Sequence, residues 1–266
     1  MKKINLIIAI STIALYSCTE MIDIDLNSSD PQIVVEANLK ASENATVKLT
    51  KSVNFDEDNI FPSVQNAIVT ISDNSGNSET LTEISPGFYQ SLTLTGSIGN
   101  TYTLNIDASG KFMNSVSIIP QQVSFDSLIV NEITNSGGGG PGGEGSSHEV
   151  IVEYKDPANV KNYYNFVEFV NGEITGNYAF DDRLNDGLEV ERILPGNNRK
   201  LNAGDILQIE MQCIDEAVYE YYNSFGNLFG GPSNSATPAN PNTNMEGTEL
   251  GYFSAHTTEI KKTIIQ

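Results

Sequence analysis

The chain has 266 residues, enough for one large or two small domains at about 150 residues each, and enough to bury a hydrophobic core. It carries 14 Lys and Arg residues against 34 Asp and Glu residues, a net charge of -20. Nucleic-acid binding is not expected, because it needs basic side chains that neutralise phosphates. Charged residues make up 18% of the chain, and much of the polarity comes from Asn, Ser, Thr and 22 Gly, a composition typical of turns and strand surfaces.

The first 17 residues have the organisation of an export signal. Lys2 and Lys3 form a positive end, and a mostly apolar run, too short to span a bilayer, follows from Ile4 to Tyr16. It ends in Leu15-Tyr16-Ser17-Cys18, which resembles the bacterial lipobox, although Tyr16 stands where that motif usually has a small residue. We predict a lipoprotein signal peptide over 1–17 and acylation of Cys18. The alternative is an ordinary signal peptide followed by an incidental cysteine.

Residues 18–30 are predicted to be a short acidic tether between the lipid and the folded body. Removal of the leader would take away its two lysines, leaving 12 basic against 34 acidic residues, or -22. Acyl chains, rather than charge, would therefore hold the protein to the membrane. The lipid bilayer is thus the partner that the leader predicts.

From residue 31 to about 120, short apolar alternations recur every eight to twelve residues between turn residues. This pattern predicts an immunoglobulin-like or transthyretin-like β-sandwich. Turn clusters occur at Asp73-Asn74-Ser75-Gly76-Asn77 and at Pro86-Gly87. We expect seven strands, at 32–39, 45–53, 67–72, 79–84, 88–92, 101–107 and 111–119.

Residues 121–266 are predicted to form a second β-rich domain with one helix. Asp215 can cap an amphipathic helix at about 215–229, in which Val218, Tyr222, Phe225 and Phe229 recur at helical spacing. Two low-complexity stretches, 136–147 and 230–247, are expected to be flexible loops. The strands are expected at 124–133, 149–154, 163–170, 173–180, 206–214, 250–254 and 258–265.

Catalytic signatures are not evident in the sequence, and we predict neither catalytic residues nor a cofactor. His148 and His256 show no metal-ligand or triad spacing and are expected to be solvent-exposed. With Cys18 acylated, Cys213 would have no disulfide partner, and it is expected to be a small buried residue in a strand. A hydrolase built on two carboxylates stays a minor alternative, because their separation cannot be derived from sequence.

Two further sites are predicted from the sequence. The segment with Asp181, Asp182 and Asp186 offers several oxygen ligands on a bending loop and is a calcium candidate, although a solvated acidic turn explains it equally well. Asp126-Ser127-Leu128 resembles the acceptor for O-glycosylation in Bacteroidota envelope proteins, with Ser127 as the modified residue. The alternative is a strand start whose serine faces solvent.

The order of these pieces resembles a Bacteroidota lipoprotein family of unknown function, DUF4249. The resemblance covers nearly the whole chain and is carried by Cys18, 33–37, 66–76, 87–89, 99–104, 125–128, 156–164, 181–187, 204–205, 219–222 and 251–253. It implies an outer-membrane lipoprotein, often encoded beside a TonB-dependent receptor, and brings no catalytic residue set. Acidic residues just after the lipidated cysteine accompany export to the cell surface in that phylum. Met21 and Ile22 interrupt the acidic run here, so the periplasmic face stays open and the cell surface is favoured.

Three functions are therefore considered. The first is a non-enzymatic binding or docking module, accessory to a TonB-dependent transporter. The second is a free-standing surface lipoprotein that binds glycan or peptide; the chain lacks Trp, the commonest sugar-stacking residue, although eleven Tyr are present. The third and least favoured is an envelope hydrolase.

Overall fold

The computed structural model describes residues 30–54, 58–133, 148–196, 199, 201–228, 240–248 and 250–266. The predicted signal peptide with Cys18, the tether up to residue 29, the loop at 136–147 and most of the loop at 230–247 lie outside these residues. In the described residues the fold is mainly β with one helix, which confirms the predicted fold class.

Over the described part of the first half, from residue 30, the chain forms eight strands with the alternating burial of a sandwich. The strand predicted at 79–84 is two short strands, because Leu81 buries its side chain between them and donates its N–H to the Val69 carbonyl. The strands are β1 (Ile33–Lys40), β2 (Asn44–Lys51), β3 (Ile68–Asp73), β4 (Ser78–Thr80), β5 (Thr82–Ser85), β6 (Phe88–Thr95), β7 (Thr101–Ala108) and β8 (Lys111–Ile118).

In the second half, the residues that the structure describes contain eight further strands and the helix. The expectation of two separate strands near the C-terminus was wrong, because one unbroken strand pairs along its whole length. The elements are β9 (Phe125–Glu132), β10 (His148–Lys155), β11 (Tyr163–Val170), β12 (Glu173–Asp181), β13 (Glu189–Leu194), β14 (Ile206–Ile214), α1 (Glu216–Leu228), β15 (Met245–Glu246) and β16 (Leu250–Ile264).

In the part of the chain that the structure describes, three sheets enclose two large hydrophobic cores, and a smaller hydrophobic cluster lies beneath helix α1. An eight-stranded sheet has the order β12-β11-β14-β16-β1-β2-β6-β5, and the smaller sheets have the orders β15-β8-β7-β3-β4 and β13-β10-β9. One core joins β1, β2 and β6 to the five-stranded sheet, and includes Val35, Leu49 and Tyr102. The other joins β11 and β14 to the three-stranded sheet, and includes Phe125 and Phe166, whose rings contact edge to face.

Strand β16 belongs to both halves. Residues from Leu250 to His256 run parallel to β1, and residues from Thr257 to Ile264 run antiparallel to β14. Phe253 accordingly lies in the first core, although it is among the last residues of the chain. The first core takes its residues from 33–119 and the second from Val123 onward, but Met245, Phe253 and Ala255 also lie in the first core. The domain boundary near Pro120 stays a prediction.

Helix α1 packs on the outer face of the eight-stranded sheet, mainly against β11 and β12. Asp215 caps it as expected, its Oδ1 accepting a hydrogen bond of 2.9 Å from the Val218 N–H. Val218 and Tyr219 pack against Tyr163 and Ile214. The side chains of Phe225 and Phe229, expected on the same face, lie outside the described residues. The described residues include no helix long and apolar enough to cross a membrane.

Candidate functional site

Two loops meet at one end of the second core. One runs from Asp156 to Asn162, between β10 and β11, and the other runs from Asp182 to Leu188, between β12 and β13. Because β11 pairs with β12 and β10 pairs with β13, both loops leave the sheets at the same end. The Asp156 N–H donates to the Leu188 carbonyl at 2.9 Å, which fixes the loops side by side.

The loops bring three carboxylates together. Asp156, Asp182 and Asp186 each offer one oxygen, and these oxygens lie within 4.8 Å of one another. Asp156 and Asp182 are buried, with 1% and 5% of their surface exposed, whereas Asp186 is exposed. Carboxylate oxygens on bending loops are the ligands that hard divalent cations prefer, so the arrangement is suited to hold such a cation. We call these three residues the acidic cluster.

Main-chain groups of the first loop orient two of the carboxylates. The Asn162 N–H donates to Oδ2 of Asp182, and the Asn159 N–H donates to Oδ1 of Asp186, both at 2.7 Å. Asn159 has a φ of 61°, a backbone conformation that Asn tolerates better than most residues. Local turn chemistry therefore directs both N–H groups toward the opposite loop.

Asp156 is held from two sides. The Tyr164 hydroxyl donates to its Oδ1 at 2.5 Å, and the Gly187 N–H donates to its Oδ2 at 3.1 Å. Burial, followed by the hydrogen bond to Asp156, raises the pKa of Tyr164 well above its usual range. Gly187 has a φ of 75°, and a Cβ there would lie 2.8 Å from the Ala158 Cβ, so the close approach of the loops requires glycine.

The predicted ligand Asp181 is not part of the acidic cluster. It is the last residue of β12, where alternation turns its side chain to the other face of the sheet. There its Oδ2 accepts a hydrogen bond of 3.1 Å from the Tyr219 hydroxyl and forms a salt bridge of 2.7 Å with Arg183. Burial, followed by the hydrogen bond to Asp181, raises the pKa of Tyr219. The calcium prediction therefore needs Asp156 in place of Asp181.

The other residues named from sequence lie apart from this cluster. Ser127 is half-buried on β9, and its hydroxyl donates to Glu153 on the neighbouring strand. Cys213 is a buried free thiol whose pKa is raised by burial, in agreement with its expected place in a strand. His148 begins β10 and is partly buried. The expectation that His256 is exposed was wrong: it lies on β16 with 1% of its surface exposed, and its Nδ1 contacts the Ser254 hydroxyl at 2.9 Å.

Sequence reasoning missed Asp156 as a member of the site. Asp156 lies 26 residues before Asp182, and only the antiparallel pairing of four strands brings the two together. A signal was present, because Asp156-Pro157 belongs to 156–164, one of the segments that carry the resemblance to the family.

The fold and its loops define a mainly β protein whose two cores share one sheet. The family model "Domain of unknown function (DUF4249)" matches residues 19–262, and the chain belongs to this family. No curated protein matches the chain significantly. Among solved structures, a two-domain fibronectin type-III segment of chicken tenascin is similar at 13% identity; the match covers 88% of this chain and 100% of that one, with a TM-score of 0.23.

Proposed function

We propose that this protein is an outer-membrane lipoprotein, anchored through acylated Cys18, that acts as a non-enzymatic docking or binding module for a TonB-dependent transporter. The observation that carries the proposal is the lipobox-like Leu15-Tyr16-Ser17-Cys18 placed directly before the family region at 19–262. Strand β1 begins at Ile33, so an anchored chain would hold its folded body within roughly 50 Å of the membrane at about 3.5 Å per extended residue.

The charge of the body supports a docking role. After removal of the leader, the chain has 12 basic and 34 acidic residues. A field of one sign steers a partner that carries a complementary basic patch, and salt screens this attraction over about 8 Å at physiological ionic strength. Association with a transporter is therefore expected to weaken as salt is raised. Loops presented on a rigid β scaffold supply the contact surface for such binding.

The test is affinity purification of a C-terminally tagged copy from detergent-solubilised envelope, with mass spectrometry of the bound proteins. We expect stoichiometric recovery of one TonB-dependent receptor with the wild type and its loss with Cys18→Ala. The matched control is Cys213→Ala, which removes the buried cysteine and leaves the anchor intact, so it should retain the receptor. Recovery of the lipidated protein without any receptor would refute the transporter role and leave a free-standing surface binder as the next hypothesis.

A further inference from the structure

The acidic cluster brings three carboxylates together, two of them buried. Asp156 and Asp182 are almost completely removed from solvent, and their oxygens approach those of Asp186 within 4.8 Å. Bringing carboxylates together in a low-dielectric environment is unfavourable unless a proton or a cation compensates their charge. The hydrogen bonds from the two loops orient the carboxylates, but they come from neutral groups and leave the negative charge in place.

Basic side chains do not supply this compensation within the described residues. Neither Asp156 nor Asp182 forms a salt bridge there. Arg183, the neighbour of Asp182 in sequence, pairs with Asp181 on the other side of the strand. Arg192 on β13 lies over an aromatic ring, with its guanidinium carbon 4.1 Å from the ring centroid.

An unpartnered oxygen lies beside the cluster. Asn162 has 5% of its surface exposed, and its side-chain Oδ1 is buried without a hydrogen-bond partner. Its own main-chain N–H donates to Asp182, which places the residue in contact with the acidic cluster. Asn162 is the last residue of the first loop and directly precedes β11, whose residue Tyr164 donates its hydroxyl to Asp156. A buried amide oxygen without a donor is costly, and a cation would satisfy it.

From this geometry we infer that Asp156, Asp182, Asp186 and the Oδ1 of Asn162 bind a calcium ion. All four donors are oxygens, which suits hard cations and offers transition metals neither a His nitrogen nor a Cys sulfur. Asp186 is exposed, so water can complete the six to eight ligands that calcium takes from flexible loops. The ion would fix the two loops together at one end of the second core.

The experiment is calorimetric titration of calcium chloride into the full chain, purified in detergent and freed of divalent ions with a chelator. We expect one saturable site in the wild type. Asp186→Asn, on the exposed side of the cluster, should weaken calcium binding at least tenfold, since even residues behind the metal ligands typically contribute about 10- to 100-fold. Asp181→Asn is the matched control: it makes the same chemical change five residues away, outside the cluster, and should leave the affinity unchanged.

A second variant tests Asn162 without removing a ligand. Asn162→Asp adds a carboxylate to the cluster, and should tighten calcium binding while lowering the melting temperature in chelator through added repulsion. Circular dichroism in chelator establishes that each variant is folded. Absence of saturable calcium binding to the folded wild type would overturn the inference. Equal losses in Asp186→Asn and Asp181→Asn, or saturable binding of magnesium but not of calcium, would overturn it as well.

Discussion

The buried ion pair between Arg199 and Glu168 gives the sharpest stability prediction. Arg199 Nε and Nη2 lie 2.8 Å and 2.6 Å from Oε2 of Glu168, and the two side chains are 2% and 0% exposed. Replacement of Arg199 by Met leaves the carboxylate with the Thr175 hydroxyl, at 2.9 Å, in a place that water does not reach. Because the lone charge stays buried, we expect the free energy of unfolding to fall by about 3–5 kcal/mol. That is a large fraction of the roughly 5–15 kcal/mol by which a domain is stable.

The assay is urea denaturation followed by circular dichroism. Lys155→Met is the matched control, because it removes the same kind of charge from the pair with Glu189, whose side chains are 66% and 75% exposed. That pair should contribute less than about 1 kcal/mol. The double variant Glu168→Leu with Arg199→Met should recover much of the loss, since it leaves no unpaired buried charge. An Arg199→Met variant no less stable than Lys155→Met would refute the reasoning.

Two further predictions concern strand β16. Gly251 has a φ of 106°, and a Cβ there would lie 1.9 Å from the Val35 carbonyl oxygen, so Gly251→Ala should lower the free energy of unfolding in urea by at least about 2 kcal/mol. Gly110→Ala is the control and should lower it less, because Gly110 has a φ of 82° and no atom within 4 Å of the added Cβ. Equal losses in the two variants would contradict the steric account. Burial, followed by the positive charge of Lys40, lowers the pKa of His256 to about 4. Between pH 6.5 and 4 the unfolded chain therefore binds a proton at His256 that the native protein does not bind. As the pH falls through this range, the free energy of unfolding of the wild type should drop by about 3 kcal/mol relative to that of His256→Gln. Parallel pH profiles of the two proteins would contradict this prediction.

Alternation of apolar and polar residues was sufficient to predict most strands. It fails where a strand forms because of its pairing with neighbouring strands and not because of its own residue pattern. Strand β13, Glu189–Leu194, was missed because three of its six residues are charged; among the described strands its one partner is β10. The break predicted within β16, at 255–257, contains the polar residues His256 and Thr257, which are nevertheless paired with β1 and β14 respectively. Parallel pairing with β1 left no local signal, because the two strands come from opposite ends of the chain.

The site shows the same limit. Asp182 and Asp186 were found because they are close in sequence, whereas Asp156 joins them only through strand pairing. Asp181 was included because it adjoins Asp182, but it is the last residue of β12 and its carboxylate contacts Tyr219 and Arg183 instead. The burial of His256 was missed for a related reason. Its strand lies in the middle of the eight-stranded sheet, and the residues next to His256 in sequence do not indicate this position.

The position of β16 also determines when the protein can fold. Val34 of β1 pairs with Leu250, roughly two hundred residues later, so the first sandwich cannot close until nearly the whole chain is available. Contacts this distant in sequence require a long loop to be closed before they stabilise anything, which slows folding. While the chain is being synthesised, the edge of β1 would stay open to pairing with wrong strands until β16 is available. A chain that loses β16 would expose the edges of both β1 and β14, so one late error would prevent both halves from completing their sheets.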